Sequence, residues 1–63
     1  MNYWIRFQDV KGVTTRSEFL AFDQDDDASA YAHGELPNNP LIEVWNGEIL
    51  VGRLDRDAPT ARA

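Results

Sequence analysis

The stretch Leu41-Ile42-Glu43-Val44-Trp45-Asn46-Gly47-Glu48-Ile49-Leu50-Val51-Gly52-Arg53-Leu54 decides the fold. Two runs of strand-forming residues flank Asn46-Gly47, a dipeptide that tolerates the positive φ needed at both centres of a type I′ hairpin turn. With that turn, Trp45 is expected opposite Glu48, Val44 opposite Ile49, and Ile42 opposite Val51. Ile42, Val44, Ile49 and Val51 then line one side. Leu41, Trp45, Leu50 and Leu54 line the other, with Glu43 and Glu48 between them. Both surfaces gain by leaving water, so one serves as core and the other calls for a partner.

Upstream, Tyr3-Trp4-Ile5-Arg6-Phe7-Gln8 alternates with period two and reads as a strand with Tyr3, Ile5 and Phe7 on one side. Trp4, Arg6 and Gln8 take the other. Asp9-Val10-Lys11-Gly12-Val13 fits a three-residue hairpin loop with Gly12 in the left-handed position. That loop pairs Asp9 with Val13, Phe7 with Thr15, Ile5 with Ser17 and Tyr3 with Phe19. Val13, Phe19 and Ala21 are thereby expected on the core side. Arg6 falls opposite Arg16 and Trp4 opposite Glu18 on the open side, where facing like charges repel unless an acidic group lies nearby.

Between the hairpins the period changes. Asp23 to Gly34 reads as a short helix, with Asp23 or Asp25 as cap, further aspartates at the positive dipole end, and Gly34 as the left-handed terminator. Ala28, Tyr31, Ala32 and Leu36 offer a narrow apolar stripe whose small members let the helix sit close to a sheet. Glu35-Leu36-Pro37-Asn38-Asn39-Pro40 is a turn-rich link. After Leu54 the pattern fades, so residues 1–54 are expected to form one domain and 55–63 a disordered tail.

The fold class that follows is α+β. The order ββαββ implies a four-stranded, mostly antiparallel sheet with one helix on one face. Strand order 2-1-3-4 keeps every pair antiparallel and sets Trp4 beside Trp45; order 2-1-4-3 stays open.

Composition narrows the function. The chain has 63 residues, no cysteine, 43% hydrophobic and 27% charged residues, which fits one small globular domain without disulfides. Eleven acidic residues against six basic ones give a net charge of −5, a poor match to nucleic acid or an anionic membrane. No apolar run approaches the roughly 20 residues of a membrane span, and Met1-Asn2-Tyr3-Trp4-Ile5-Arg6 lacks a signal peptide's basic start and long apolar stretch. A cytoplasmic location is expected.

Across most of its length the chain resembles a set of short bacterial proteins. They share an aromatic first strand, a Phe-x-Ala element before an Asp-rich helix start, and a closing Val-Glu-Val-Trp-x-Gly type hairpin. The matching residues are Tyr3, Phe7, Phe19, Ala21, Asp25, Asp26, Asp27, Ala28, Glu43, Val44, Trp45, Gly47, Val51 and Leu54. The resemblance implies the strand-strand-helix-strand-strand fold and no activity. In this chain Pro37 and Pro40 stand where the pattern carries more helix.

The candidate chemistry is sparse. Asp23-x-Asp25-x-Asp27 opens like a calcium loop, but the sixth position is Ala28 and the twelfth is Gly34, where a Gly and a bidentate Glu are required. His33 is the single histidine and has no cysteine to join it at a metal or a nucleophile. Ser17 and Ser29 lie in no nucleophile elbow. No catalytic residue, cofactor or metal ligand is expected, and the chain reads as a non-enzyme. The one constellation above background is the open sheet face: Trp4, Leu41, Trp45, Leu50 and Leu54 with Arg6 and Arg16, residue types enriched at interface hot spots. The expected function is therefore a protein–protein interaction module that self-associates, most simply as a homodimer, or docks a protein partner. The alternative is an acidic inhibitor or nucleic-acid mimic using Asp23, Asp25, Asp26, Asp27 and Glu35.

Overall fold

The computed structural model describes residues 1–57. Strands β1 (Asn2–Gln8) and β2 (Thr14–Ala21) are followed by helix α1 (Asp25–Glu35), a 3₁₀ turn (Leu36–Asn38), and strands β3 (Leu41–Asn46) and β4 (Ile49–Asp55). The strands form one antiparallel sheet in the order β2-β1-β3-β4. This is the ββαββ, α+β architecture expected from the sequence, in its all-antiparallel strand order. The expected tail beyond Asp57 lies outside the described residues. Asp55 itself belongs to β4, and the Arg56 N–H donates to the Pro40 carbonyl at 2.9 Å.

The core lies between α1 and one face of the sheet. Tyr3, Ile5 and Phe7 from β1 and Ile42 and Val44 from β3 are fully buried against Ala28 and Ala32 of the helix. Two alanines one turn apart leave no bulk between helix and sheet, so the β1 and β3 side chains fill the gap. Leu20, Phe22, Tyr31, Leu36, Val51 and Leu54 pack around this centre.

Two tyrosines fasten the helix to the sheet through their hydroxyls. Tyr3 donates to Asp25 Oδ1 at 2.6 Å, and Tyr31 donates to Glu18 Oε1 at 2.6 Å. The bond to Asp25 and the burial of the ring push the Tyr3 pKa up to about 12; the bond to Glu18, again with burial, does the same for Tyr31.

Two bulges change the expected registers. The Asp9 to Val13 loop forms as read, with Gly12 at φ 84° and Asp9 N–H donating to the Val13 carbonyl at 2.9 Å. Between Phe7 and Gln8, however, β2 carries the extra residue Thr15, whose hydroxyl donates to the Phe7 carbonyl at 3.2 Å. Beyond it Phe7 pairs with Arg16, Ile5 with Glu18, Trp4 with Phe19 and Tyr3 with Leu20. A one-residue slip exchanges the faces of a strand. Phe19 and Ala21 consequently leave the core side they were assigned, Leu20 enters it, and Val13 stays exposed.

The second hairpin turns one residue later than expected. Asn46 pairs with Ile49, so Gly47 and Glu48 form the loop, with Gly47 at φ 62° in the position that demands a positive angle. Trp45 then pairs with Leu50. Val51 is the extra residue of the second bulge, and Gly52, Arg53 and Leu54 pair with Val44, Glu43 and Ile42. Ile49 ends up 70% exposed at the hairpin tip rather than in the core.

The helix ends also differ from expectation. Gln24 occupies the N-cap without a side-chain bond, because Asp25 is already helical and receives Tyr3. Gly34 lies inside the helix, which runs to Glu35 and passes directly into the Leu36–Asn38 3₁₀ turn with Pro37 near its start. Proline lacks only an N–H that a helical first turn leaves unpaired anyway.

Candidate functional site: the uncovered sheet face

Alternation places Trp4 and Arg6 of β1, and Glu43 and Trp45 of β3, on the side away from α1. The bulge at Thr15 adds Phe19, and the late turn keeps Leu50 there. Phe19, Trp4, Trp45 and Leu50 are cross-strand neighbours in that order, so one apolar row crosses all four strands. Phe19 is 55% exposed, Leu50 45% and Trp4 37%. The Trp4 and Phe19 rings meet at 4.7 Å between centroids with planes tilted by 38°, an offset aromatic pairing.

One step along the strands lies a charged row. Ser17 neighbours Arg6, Arg6 neighbours Glu43, and Glu43 neighbours Arg53. Glu43 links the rows: its Oε1 accepts the Trp45 indole N–H at 3.1 Å, and its Oε2 lies 3.8 Å from Arg53 Nε. The Arg6 guanidinium sits 5.7 Å from the Trp45 ring centroid, within cation–π range. Trp45 is thus held between an acceptor on its own strand and a cation on the next, which fixes its ring on the surface.

Of the expected interface residues, Trp4, Arg6, Trp45 and Leu50 are brought together here. Arg16 is not. The Thr15 bulge turns it to the helix side, where its guanidinium caps the Phe7 ring at 4.1 Å and lies 3.6 Å from Glu18 and 3.7 Å from Glu35. Leu54 is likewise turned inward by the Val51 bulge and packs on the core. Leu41 keeps the open-side position but is only 9% exposed, beside the equally buried Gln8. Phe19 and Arg53 take the vacated roles. For Phe19 the sequence signal was ambiguous, since Phe19-Leu20-Ala21-Phe22 is apolar in both phases; for Arg53 the signal was its pairing with Glu43, visible only once the bulge is placed.

Asp23 lies exposed just before α1 and Asp25, Asp26 and Asp27 occupy its first turn, whereas Glu35 closes the helix roughly 15 Å away at 1.5 Å per residue and is paired with Arg16. Among the described residues, no three His, Asp or Glu side chains gather closely enough to hold a metal ion. Among the described residues one shallow recess is bordered by Met1, Gln24, Asp25 and Asp26 and another by Val10, Pro40, Leu41, Asp55 and Asp57. Neither sets a nucleophile beside a base. His33 is exposed in the last turn of the helix. No helix among the described residues is long and apolar enough to cross a membrane.

Compared with protein families, with curated proteins and with solved structures, the chain matches none.

Proposed function

We propose that the chain is a non-enzymatic protein–protein interaction module working through the uncovered sheet face. The observation that carries this reading is the continuous row Phe19, Trp4, Trp45 and Leu50 across four strands, about half-exposed at its two ends and partly exposed at the tryptophans between them, and bordered by Arg6, Glu43 and Arg53. A small fold gains little by leaving two tryptophans and a phenylalanine at its surface unless something covers them. Trp and Arg are also the residues that most often dominate association energies. In this reading Trp4 and Trp45 are anchors, Phe19 and Leu50 extend the apolar strip, and the charged row selects orientation. The face could stack nucleic-acid bases in shape, but such platforms work within a basic groove, and the net charge of −5 opposes that. The same reading places the module in the cytoplasm, a compartment suited to a fold stabilised without cysteine.

The test is a folded but non-binding variant. Trp4→Ala combined with Trp45→Ala should keep the far-ultraviolet circular dichroism of the unmodified chain and lose its association, with itself or with a partner. Association that persists in the double variant, or that is lost on changing exposed helix residues such as Asp26 instead, would contradict the proposal.

A further inference from the structure

We infer that the occupant of the open face is a second copy of this chain, packed about a two-fold axis that runs parallel to the strands between β1 and β3. The inference rests on the interaction reading above and gives it a partner and a register. A two-fold axis so placed lays each row on its own reverse. The apolar row Phe19, Trp4, Trp45, Leu50 meets Leu50, Trp45, Trp4, Phe19, so each Trp4 lies on the other copy's Trp45 and each Phe19 on its Leu50. The charged row Ser17, Arg6, Glu43, Arg53 meets Arg53, Glu43, Arg6, Ser17, so each Arg6 faces a Glu43 and each Arg53 a Ser17. Every apolar residue finds an apolar partner, and both charged contacts between the inner strands are of opposite sign.

The alternative axis, running across the strands along the apolar row, lacks this match. It sets the charged row against the Asn2 and Ala21 end of the sheet, leaving Arg6 and Glu43 without counterparts. Only the strand-parallel axis makes both rows self-complementary, which is the condition for a closed two-fold contact. It also keeps the strand directions of the two sheets aligned, as face-to-face sheets prefer, with their twist setting them roughly 30° apart.

The size of the face sets the strength. Four strands about 4.8 Å apart, covered over roughly 20 Å of their length, give on the order of 400 Å² per copy. That is below the standard interface, so the dimer is weak and concentration-dependent. Sedimentation equilibrium from about 10 μM to 1 mM covers the corresponding range of dissociation constants.

The deciding experiment exploits the charge pairing. In an Arg6→Glu dimer both inner contacts become Glu on Glu, and in a Glu43→Arg dimer both become Arg on Arg. Each variant alone should associate at least about tenfold more weakly than the unmodified chain, because facing like charges are costly at an interface. Mixed in equal amounts, the two should form a heterodimer in which an acidic inner row meets a basic one, restoring association to within about threefold. Circular dichroism and melting of each variant check the fold. Leu50→Glu, at the exposed end of the apolar row, provides a second route to the monomer that leaves the inner strands untouched.

An unmodified chain that stays monomeric to 1 mM overturns the self-association while leaving the face free to serve a different partner. A dimer indifferent to Arg6→Glu, Glu43→Arg and Leu50→Glu overturns both the register and the open-face reading beneath it. Single variants that dissociate and do not recover on mixing overturn the strand-parallel axis.

Discussion

The sharpest consequence of the fold concerns two phenylalanines that simple alternation puts in one core and the Thr15 bulge separates. Phe7 is fully buried, with Arg16 over its ring at 4.1 Å, whereas Phe19 is 55% exposed on the opposite face. Truncating a fully buried phenylalanine costs about 3–5 kcal/mol. Complete burial of such a side chain is worth about 1.5–3 kcal/mol in transfer terms; Phe19 keeps under half of that, so Phe19→Ala should cost about 1 kcal/mol, or up to about 2 with its Trp4 pairing. At roughly 0.05–0.15 kcal/mol per residue the whole domain holds only about 3–9 kcal/mol. Phe7→Ala should therefore remove from about a third of the domain's stability to all of it, while Phe19→Ala should only lower the midpoint slightly. Urea titration followed by circular dichroism separates the cases, and the milder Phe7→Leu keeps the comparison measurable if Phe7→Ala does not fold. Equal costs at the two positions, or a larger one at Phe19, would refute the bulged register and the face assignment that depends on it.

Three further outcomes follow from particular contacts. The folded chain holds the Tyr3 and Tyr31 hydroxyls protonated up to about pH 12, while in the unfolded chain they ionise near about pH 10. Their contribution is complete below about pH 10 and is lost as pH rises from there through about 12, so the melting temperature should fall over that window and fall less in Tyr3→Phe/Tyr31→Phe. Gly47→Ala must hold a side chain at φ 62°, at a cost of about 1–2 kcal/mol, visible as a lower urea midpoint. Millimolar calcium should leave the melting curve of the chain unchanged, since the calcium-loop pattern breaks at Ala28 and Gly34 and Asp25 already accepts from Tyr3; saturable heat of calcium binding in calorimetry would contradict this.

Element identity and strand order were readable because the deciding residues are local and chemically distinct. Tyr3, Ile5 and Phe7 alternate cleanly, Gly12 and Gly47 mark the turns, and Ala28 with Ala32 marks the face of the helix. What the residues did not declare was the register beyond each bulge. Thr15 and Val51 are ordinary strand residues, and nothing in their type announces that they stand unpaired. Each bulge reverses everything that follows it, which is why Arg16 and Leu54 moved from the open face to the helix side and Phe19 moved the other way. Trp4, Arg6 and Trp45, which lie on the two central strands, keep the face that the pattern gives them because the alternation of β1 and β3 is set by their own buried residues. The helix cap departs from the sequence pattern for a different reason. A cluster of aspartates offers several equivalent starts, and the Tyr3 hydroxyl, distant in sequence, selects Asp25 as a residue of the first turn.

The central claim is that the open face is covered by a second copy of the chain. Two-dimensional NMR of the unmodified chain over a concentration series tests it residue by residue. The two indole N–H signals and the backbone amides of Trp4, Phe19, Trp45 and Leu50 should move together along a single binding isotherm, while those of Ala28 and Ala32 remain fixed. Movement confined to the helix side, or signals that stay still to millimolar concentration, would contradict it.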